Sequence, residues 1–355
     1  MVTMAATSIT FEVVIILWIA SSLILGTGAQ GTSPPAPDYG NDYGSYAPLS
    51  SNSSANLFEE FYDYSCPNAT TIVKDMVTTF LAEDPSLAGS LQRLHFHDCW
   101  VNGCDGSILL ASTSSFSAER DGLSNFKIRG IVEIDEIKAA LEDQCPLVVS
   151  CADILALVAR EATYMAGGPW WNVSLGRRDG LVSRATDADS NLPTPVSNWT
   201  ELAVNFAGKG FTAREMVILN GAHTIGRAHC MTVTPQLYNY TGIDDMTNPA
   251  LNVTFADELK QKCPKGNTLD TVSMDSTKNQ FDELFYQDLL EGKGVLQSDL
   301  EMMNDPLGLQ VVTESSQAGS TFFDEFAAAM VKMGMIEVLS GAQGEVRRHC
   351  QYINQ

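Results

Sequence analysis

Positive charge is scarce in this sequence, and no Lys or Arg stands before Lys74. The 355 residues include 21 Lys and Arg against 43 Asp and Glu, a formal net charge of −22. Binding to nucleic acids and to anionic membranes both need clustered positive charge, so the composition disfavours these two classes. With 45% apolar and 18% charged residues, the chain is neither a disordered protein nor a coiled coil.

Long apolar runs are also missing, apart from residues 13–25, which are too few for the roughly 20 residues of a membrane-spanning helix. The small residues Thr27 and Ala29 follow this run. We therefore predict a secretory signal peptide over residues 1–29, although the usual basic start is absent. A retained membrane anchor is the alternative. Residues 30–57 are rich in Gly, Ser, Pro, Asn and Tyr, which predicts a flexible leader.

No CxxC pair occurs, although the chain has eight cysteines. An even number of cysteines behind a signal peptide predicts four disulfides formed in an oxidising compartment, with 105 connectivities open. Sequons of the form N-x-S/T fit the same route and predict some N-glycosylation. They lie at Asn52, Asn68, Asn172, Asn198, Asn239 and Asn252.

Residues 58–355 carry apolar residues mostly at helical spacing and show little of the alternation typical of strands. Gly and Pro mark the joints, and no repeat or internal linker is visible. We therefore predict a single mainly α domain, with two helical lobes around a cleft as one arrangement. The helical spacing covers residues 71–82, 86–98, 131–142, 150–166, 198–209, 213–219, 281–291 and 320–333.

Arg93 and His97 form the first candidate catalytic site. Residues four apart share one face of a helix, so a guanidinium and an imidazole can point into one cavity. His moves protons near neutral pH, and Arg stabilises a developing anion, a combination that suits heterolysis of a polar bond. A surface helix with incidental charges is the alternative on spacing alone. His95 lies on another face and is interpreted as structural.

Hard oxygen ligands cluster in two segments that could each bind calcium. The first surrounds a small loop between Cys99 and Cys104, and an ordinary polar disulfide loop is the alternative. The second has a solvated polar loop as its alternative. The side chains concerned are Asp98, Asp105 and Ser107 in the first segment and Asp275, Thr277 and Asp282 in the second.

His223 follows the apolar run of residues 216–219 and is predicted to face the interior from a helix end. A hydrogen-bonded core histidine is the alternative to a metal ligand there. Far downstream, Asp299 could orient such a ligand by accepting its ring N–H. Since CxxCH is absent, any haem would be held by coordination and packing and not by thioether bonds.

Longer segments resemble one family, the class III secretory plant peroxidases, over residues 58–355. The eight cysteines and the signal argue against the intracellular ascorbate and cytochrome c peroxidases, which have a similar fold. The matching segments are FYDYSCPN (61–68), RLHFHDCWVNGCDGSILL (93–110), VSCADILALVAREA (149–162), GGPWWNVSLGRRDG (167–180), NLPTPVSNWTEL (191–202), LNGAHTIGRAHC (219–230) and GVLQSDLEM (294–302).

The resemblance implies a haem-peroxidase fold in which two helical lobes enclose one b-type haem. It implies reduction of hydrogen peroxide to water, with one-electron oxidation of small phenolic donors. The implied roles are His97 as distal acid and base, Arg93 as charge stabiliser, Asn125 as hydrogen-bond partner of His97, Phe96 as packing over the haem, His223 as iron ligand, Asp299 as partner of His223, and Pro193 as donor-binding residue.

The resemblance also implies two Ca²⁺ ions, four disulfides and a buried ion pair between Asp153 and Arg178. The first calcium would bind Asp98, Val101, Gly103, Asp105 and Ser107, and the second Thr224, Asp275, Thr277, Gln280 and Asp282. The disulfides would be Cys66–Cys145, Cys99–Cys104, Cys151–Cys350 and Cys230–Cys263.

The predicted protein is a secreted monomer of the extracellular space or cell wall, free of the membrane after signal cleavage. Two other functions remain open from the sequence. One is a catalytically silent haem glycoprotein on the same scaffold, which would take up haem without turning over peroxide. The other is a secreted calcium-binding structural glycoprotein without haem.

Overall fold

The computed structural model describes residues 57–355. The predicted signal peptide, the predicted leader up to residue 56 and the Asn52 sequon lie outside the described residues. Within residues 57–355 the chain is mainly helical, as predicted. None of the helices in this range is both long enough and apolar enough to cross a bilayer.

Thirteen α-helices and two short strands make up the regular structure of the described range, with several single turns of 3₁₀ helix between them. The helices are α1 Ala69–Glu83, α2 Leu87–Val101, α3 Ile131–Gln144, α4 Cys151–Met165, α5 Ala185–Asn191, α6 Trp199–Gly208, α7 Ala213–Asn220, α8 Cys230–Tyr238, α9 Val253–Lys262, α10 Leu284–Leu290, α11 Gln297–Glu301, α12 Pro306–Ser315 and α13 Phe322–Met333. The strands are β1 Arg227–His229 and β2 Thr271–Ser273.

The first four helices pack together around α4, which contacts α1, α2 and α3. Every residue of α4 from Cys151 to Thr163 is buried, so this helix forms the centre of the first lobe. The Ser150 hydroxyl begins the helix by accepting a hydrogen bond from Asp153 N at 3.1 Å. Since α2 packs against α4, the first lobe holds α2 in place.

The second lobe is built around α7, which packs against α6, α12 and α13, with α10 against α12. Capping boxes begin α6 at Asn198 and α7 at Thr212, where the N-cap side chain and a Glu three residues later each bond the other's backbone N–H. Antiparallel pairing of Ala228 with Val272 joins β1 to β2. This pairing brings the chain that follows α7 beside the segment around Asp275.

All four disulfides form in the pairing that the family resemblance implies, and no cysteine of the described range is free. The Cys151–Cys350 bond ties the first turn of α4 to the last residues of the chain, 199 positions away. The Cys230–Cys263 bond ties α8 to the end of α9. The covalent frame therefore holds both lobes.

The predicted ion pair between Asp153 and Arg178 is wrong, because the partner of Asp153 is Arg177. Arg177 Nη1 lies 2.9 Å from Asp153 Oδ1, and both side chains are buried. Arg178 instead donates its Nε to Gln343 O at 2.7 Å, near the surface. The segment is extended here, so neighbouring side chains point to opposite sides, and Arg177 takes the inward position.

Candidate active site

Helix α2 positions the first group of predicted site residues. His97 Nδ1 lies 2.6 Å from Asn125 Oδ1, and Asn125 Nδ2 donates to Glu119 O at 2.8 Å. The second bond orients the amide so that its oxygen faces His97. Because an amide oxygen only accepts, Nδ1 carries the proton and Nε2 is the basic nitrogen. One turn earlier, Arg93 donates to Ser124 O at 2.9 Å, so the loop around Asn125 fixes both side chains.

The electrostatics of this cluster favour a neutral base beside a permanent cation. Burial and the Arg93 charge lower the pKa of His97, whereas the hydrogen bond to Asn125 raises it. The net result is a pKa well below the ordinary value of 6.5. Arginine keeps its charge at neutral pH, so the Arg93 guanidinium is a permanent cation beside His97. The imidazole therefore can accept a proton where the guanidinium can stabilise negative charge.

His223 lies on the other side, in the single 3₁₀ turn after α7. Its Nδ1 is 2.8 Å from Asp299 Oδ1, and the Asp299 side chain is fully buried at the start of α11. Leu296 N donates to the second carboxylate oxygen at 3.0 Å, which holds the carboxylate in place. The His223 side chain is 34% accessible, and its Nε2 makes no hydrogen bond within the described range.

The segments that carry the two groups touch at Gly89 and Gly226, and we call the region between Arg93 and His97 on one side and His223 on the other the cleft. A Cβ on Gly89 of α2 would lie 2.6 Å from the Cα of Gly226, so the backbones touch there. From this contact α2 continues towards Arg93 and His97, while the other segment turns back to His223. Arg93 keeps exposed surface although the residues on either side of it are buried.

These observations fit a haem. An imidazole with one nitrogen held by a carboxylate and the other free has the hydrogen-bonding pattern that suits a haem-iron ligand. Open surface on Arg93, Phe96 and His223, among otherwise buried neighbours, leaves room for a flat group between the lobes. Phe96 lies on the same helix and packs against Trp100 at 4.8 Å between ring centroids.

Pro193 lies in the loop between α5 and α6, and two observations connect this loop to the cleft. Ser298 N donates to Pro195 O at 3.0 Å, next to Asp299. On the other side, Trp100 Nε1 donates to Asn205 Oδ1, whose amide in turn donates to Asn191 O at 2.7 Å. The loop is therefore tied to both lobes.

The first predicted calcium segment gathers buried carboxylates without enough positive charge to balance them. Asp98 accepts from Gly106 N at 3.0 Å, and Asp105 accepts from Ser107 N at 3.0 Å. Burial and the neighbouring carboxylates raise the pKa of Asp98, and burial raises that of Asp105 to about 6. The buried Ser107 Oγ has no hydrogen-bond partner. Unsatisfied oxygens and uncompensated carboxylates fit a hard cation. Val101 and Gly103, expected to contribute carbonyls, lie in the chain between these residues.

Glu119 belongs to the same cluster, and sequence reasoning did not assign it a role. Its Oε1 accepts from Asn102 at 2.8 Å, its Oε2 is buried without a partner, and its backbone oxygen holds Asn125. Burial raises its pKa to about 8. One acidic residue in a run of three charged residues carries no sequence signal of this kind. Glu119 links the acidic cluster to the partner of His97.

The second predicted calcium segment also comes together, next to His223. Thr224 Oγ1 lies 2.8 Å from Asp275 Oδ2 and 3.4 Å from Gln280 O. Thr277 Oγ1 donates to Asp282 Oδ1 at 3.0 Å. Burial raises the pKa of Asp275 to about 7. All five predicted residues therefore converge, and their oxygen atoms suit Ca²⁺.

Comparison with known proteins agrees with this geometry. A family model described as "Peroxidase" matches residues 73–318. Peroxidase 3 from Arabidopsis thaliana is 47% identical over 305 residues, 84% of this chain and 93% of its own length. Peroxidase 1 from Oryza sativa subsp. japonica is 43% identical over 85% of this chain and 94% of its own length. A peroxidase from Armoracia rusticana is 43% identical over 85% of this chain and 93% of its own length.

The fold and the cleft between two histidine clusters define a haem peroxidase, an enzyme that reduces hydrogen peroxide and oxidises a donor. The chain belongs to the class III plant peroxidases.

Proposed function

We propose that His97 and Arg93 are the catalytic residues of peroxide cleavage in this chain. His97 Nε2 takes the proton from one peroxide oxygen and returns it to the other, which leaves as water. The charged Arg93 stabilises the negative charge that develops on the leaving oxygen. The observation that carries this proposal is the 2.6 Å distance between His97 Nδ1 and Asn125 Oδ1, one helical turn from Arg93.

Asn125 and Asp299 act in this proposal as positioning residues. Asn125 keeps the proton of His97 on Nδ1 and so leaves Nε2 free as the base. His223 is the proposed iron ligand, and Asp299 accepts its Nδ1–H and increases its basicity. Once bound, the haem iron would supply the site that binds peroxide and stores two oxidising equivalents. Phe96 would pack against the haem face on the His97 side.

Phenolic donors are the proposed reductants, each giving one electron at an exposed edge of the cleft. Exposed apolar side chains near the predicted donor loop support a small aromatic donor: Leu123 is 82% accessible and Val196 is 41% accessible. Leu123 begins the 3₁₀ turn that ends at Asn125, and Val196 lies in the loop of Pro193. Oxidation of such phenols in the cell wall, including lignin precursors, is the proposed physiological role.

A b-type haem and two Ca²⁺ ions are the proposed cofactors. The absence of CxxCH supports a haem without thioether bonds, and each of the two oxygen clusters offers one cation site. Secretion of a monomer into the extracellular space is proposed from the residues 1–29 signal, the sequons and the four disulfides.

Turnover of hydrogen peroxide with a panel of donors tests this function. The haem- and calcium-loaded protein is expected to oxidise guaiacol and coniferyl alcohol faster than ascorbate. Preference for ascorbate would overturn the proposed phenolic donor. Haem binding without turnover of any donor would overturn the catalytic roles and favour a silent haem glycoprotein.

The pH profile of the peroxide reaction reports on His97. Because the pKa of His97 is well below 6.5, the imidazole stays neutral on acidification through that value. We therefore expect the second-order rate constant for peroxide, measured by stopped flow, to stay constant when the pH is lowered through 6.5. A half-loss of the rate constant near pH 6.5 would contradict the buried, neutral base.

Removal of calcium is expected to destabilise the protein. A ligand at 100 times its Kd contributes about 2.7 kcal/mol to the free energy of unfolding, so chelation lowers the urea midpoint and restored Ca²⁺ recovers it. Excess Mg²⁺ is the control and should not replace Ca²⁺ in these irregular oxygen sites. An unchanged midpoint after chelation, with metal analysis showing no bound calcium before it, would refute both sites.

The calcium-free protein also has a characteristic pH dependence. In the folded state, Asp105 and Asp275 have pKa values of about 6 and about 7, whereas the ordinary value of an aspartate is 3.8. The folded state therefore binds protons that the unfolded chain has already released. The free energy of unfolding of the calcium-free protein therefore decreases as the pH rises through this interval. Calcium should reverse this trend because it binds the ionised carboxylates and is lost on acidification.

A further inference from the structure

The segment that follows α4 presents alternate side chains to solvent. Trp170 and Asn172 are exposed, whereas the residue that follows each of them, Trp171 and Val173, is buried. Leu175, further on, pairs with Phe58 in an antiparallel bridge, so the chain is extended here. In an extended chain, residues two apart point to the same side with about 7 Å between them. The Trp170 ring and the Asn172 amide therefore share one open face.

Trp170 forms a fixed platform and not a loose surface side chain. The Arg160 guanidinium lies 3.8 Å from the ring centroid and covers one face of the indole. Tyr164 meets the ring edge-on, with 5.3 Å between centroids. The residue is nevertheless 46% accessible, which leaves the second face open to solvent. The indole is thus an aromatic surface that is both exposed and held in place.

Asn172, two residues further on, begins the sequon Asn172-Val173-Ser174. We infer that Asn172 carries an N-linked glycan whose first N-acetylglucosamine packs its C–H face on the open face of Trp170. The inference rests on the secretion given under the proposed function and does not depend on the peroxidase activity. The face of a pyranose ring bearing axial C–H groups matches an aromatic face in size and polarity.

The covalent step uses the oligosaccharide donor of the secretory pathway, a polyprenyl diphosphate sugar. Asn172 Nδ2 forms a bond to the anomeric carbon, and the bond from that carbon to the diphosphate oxygen breaks. The amide loses one proton, and the lipid diphosphate leaves with the electron pair of the broken bond. No oxidant or reductant is required.

The sequons at Asn68 and Asn198 lack this arrangement. Asn68 and Asn198 are exposed at the starts of α1 and α6, but the residues two before them are the buried Cys66 and the aliphatic Val196. Asn198 also uses its side-chain oxygen to cap α6. Asn198 is therefore a matched control, a surface sequon without an aromatic platform.

Glycopeptide mass spectrometry on the full chain from a secreting plant or insect-cell host tests occupancy. Ser174→Ala abolishes the sequon but keeps Asn172, and Thr200→Ala does the same for Asn198. Loss of the Asn172 glycan is expected to lower Tm by about 2 °C and to increase acrylamide quenching of tryptophan fluorescence. Thr200→Ala should change neither quantity. In a Trp170→Ser background, Ser174→Ala should no longer shift Tm.

Three results would overturn the inference. A glycan on Asn198 together with an unmodified Asn172 would refute the packing on Trp170 but would still support the proposed secretion. Empty sequons throughout would refute both the inference and the proposed secretion. An occupied Asn172 whose removal leaves quenching and Tm unchanged would show that the sugar does not pack on Trp170. Peroxidase activity should be the same in every variant.

Discussion

Replacing His97 by Leu should lower the rate constant of the reaction with peroxide by about 10²–10⁴-fold, the usual contribution of a general acid–base group. The proton on Nδ1, bound to Asn125 at 2.6 Å, leaves Nε2 as the base in the cleft. Leu fills similar space but cannot carry a proton. Haem uptake should remain, because the proposed iron ligand is His223 on the other lobe.

Stopped-flow measurement at the Soret band checks this result directly. His349→Gln is the matched control, since His349 is an exposed histidine near the end of the chain. It should leave the rate constant unchanged. A His97→Leu variant that binds haem normally and reacts with peroxide at the wild-type rate would remove His97 from the mechanism. The rate of donor oxidation, measured separately, should depend little on His97.

Replacing Arg177 by Leu should lower the free energy of unfolding by about 3–5 kcal/mol, because it leaves a buried carboxylate without its partner. Arg177 is 3% accessible and Asp153 is fully buried. The guanidinium also donates twice to Gly334 O, at 2.9 and 2.6 Å. The pair therefore joins α4 to the chain that follows α13.

Arg178→Leu is the matched control for this prediction. Arg178 donates to Gln343 O and Gly344 O near the surface, so its loss should cost only about 1 kcal/mol. Urea denaturation of both variants gives the comparison. A larger loss for Arg178→Leu than for Arg177→Leu would restore the ion pair that the sequence predicted between Asp153 and Arg178.

The error over these two arginines shows what a sequence pattern leaves undetermined. Two identical residues stand side by side, and only their side of an extended chain decides which one reaches Asp153. Alternation alone cannot choose, because the choice depends on where α4 lies. The spacing of Arg93 and His97, in contrast, predicted a shared helix face, and α2 has both residues in that register.

The sequence predicted the helices in which apolar residues recur over several turns. It did not predict the helices that are stabilised mainly by tertiary contacts. The segments predicted from spacing correspond to α1, α2, α3, α4, α6, α7, α10 and α13. Helix α12, which has ten residues and starts at Pro306, was not predicted. Helices α5 and α11 have seven and five residues, too few for a periodic pattern. Helix α8 contains Pro235, and α9 buries only Ala256 and Leu259. These helices are held by neighbouring segments and by the Cys230–Cys263 bond.

The disulfide pairing and the complete calcium ligand sets required the family resemblance. Counting cysteines left 105 connectivities open, and isolated acidic residues do not reveal that they converge. Even the resemblance did not assign Glu119, which joins one cluster to Asn125 through its backbone oxygen. Contacts of this kind are made by folding and carry no local sequence signal.

Haem binding in the cleft and peroxide cleavage by His97 and Arg93 can be tested in one experiment. The most direct test records the Soret spectrum of the haem- and calcium-loaded protein after one equivalent of hydrogen peroxide, with guaiacol added afterwards. We expect a fast loss of Soret intensity that guaiacol reverses. A normal ferric spectrum that does not respond to peroxide would contradict it.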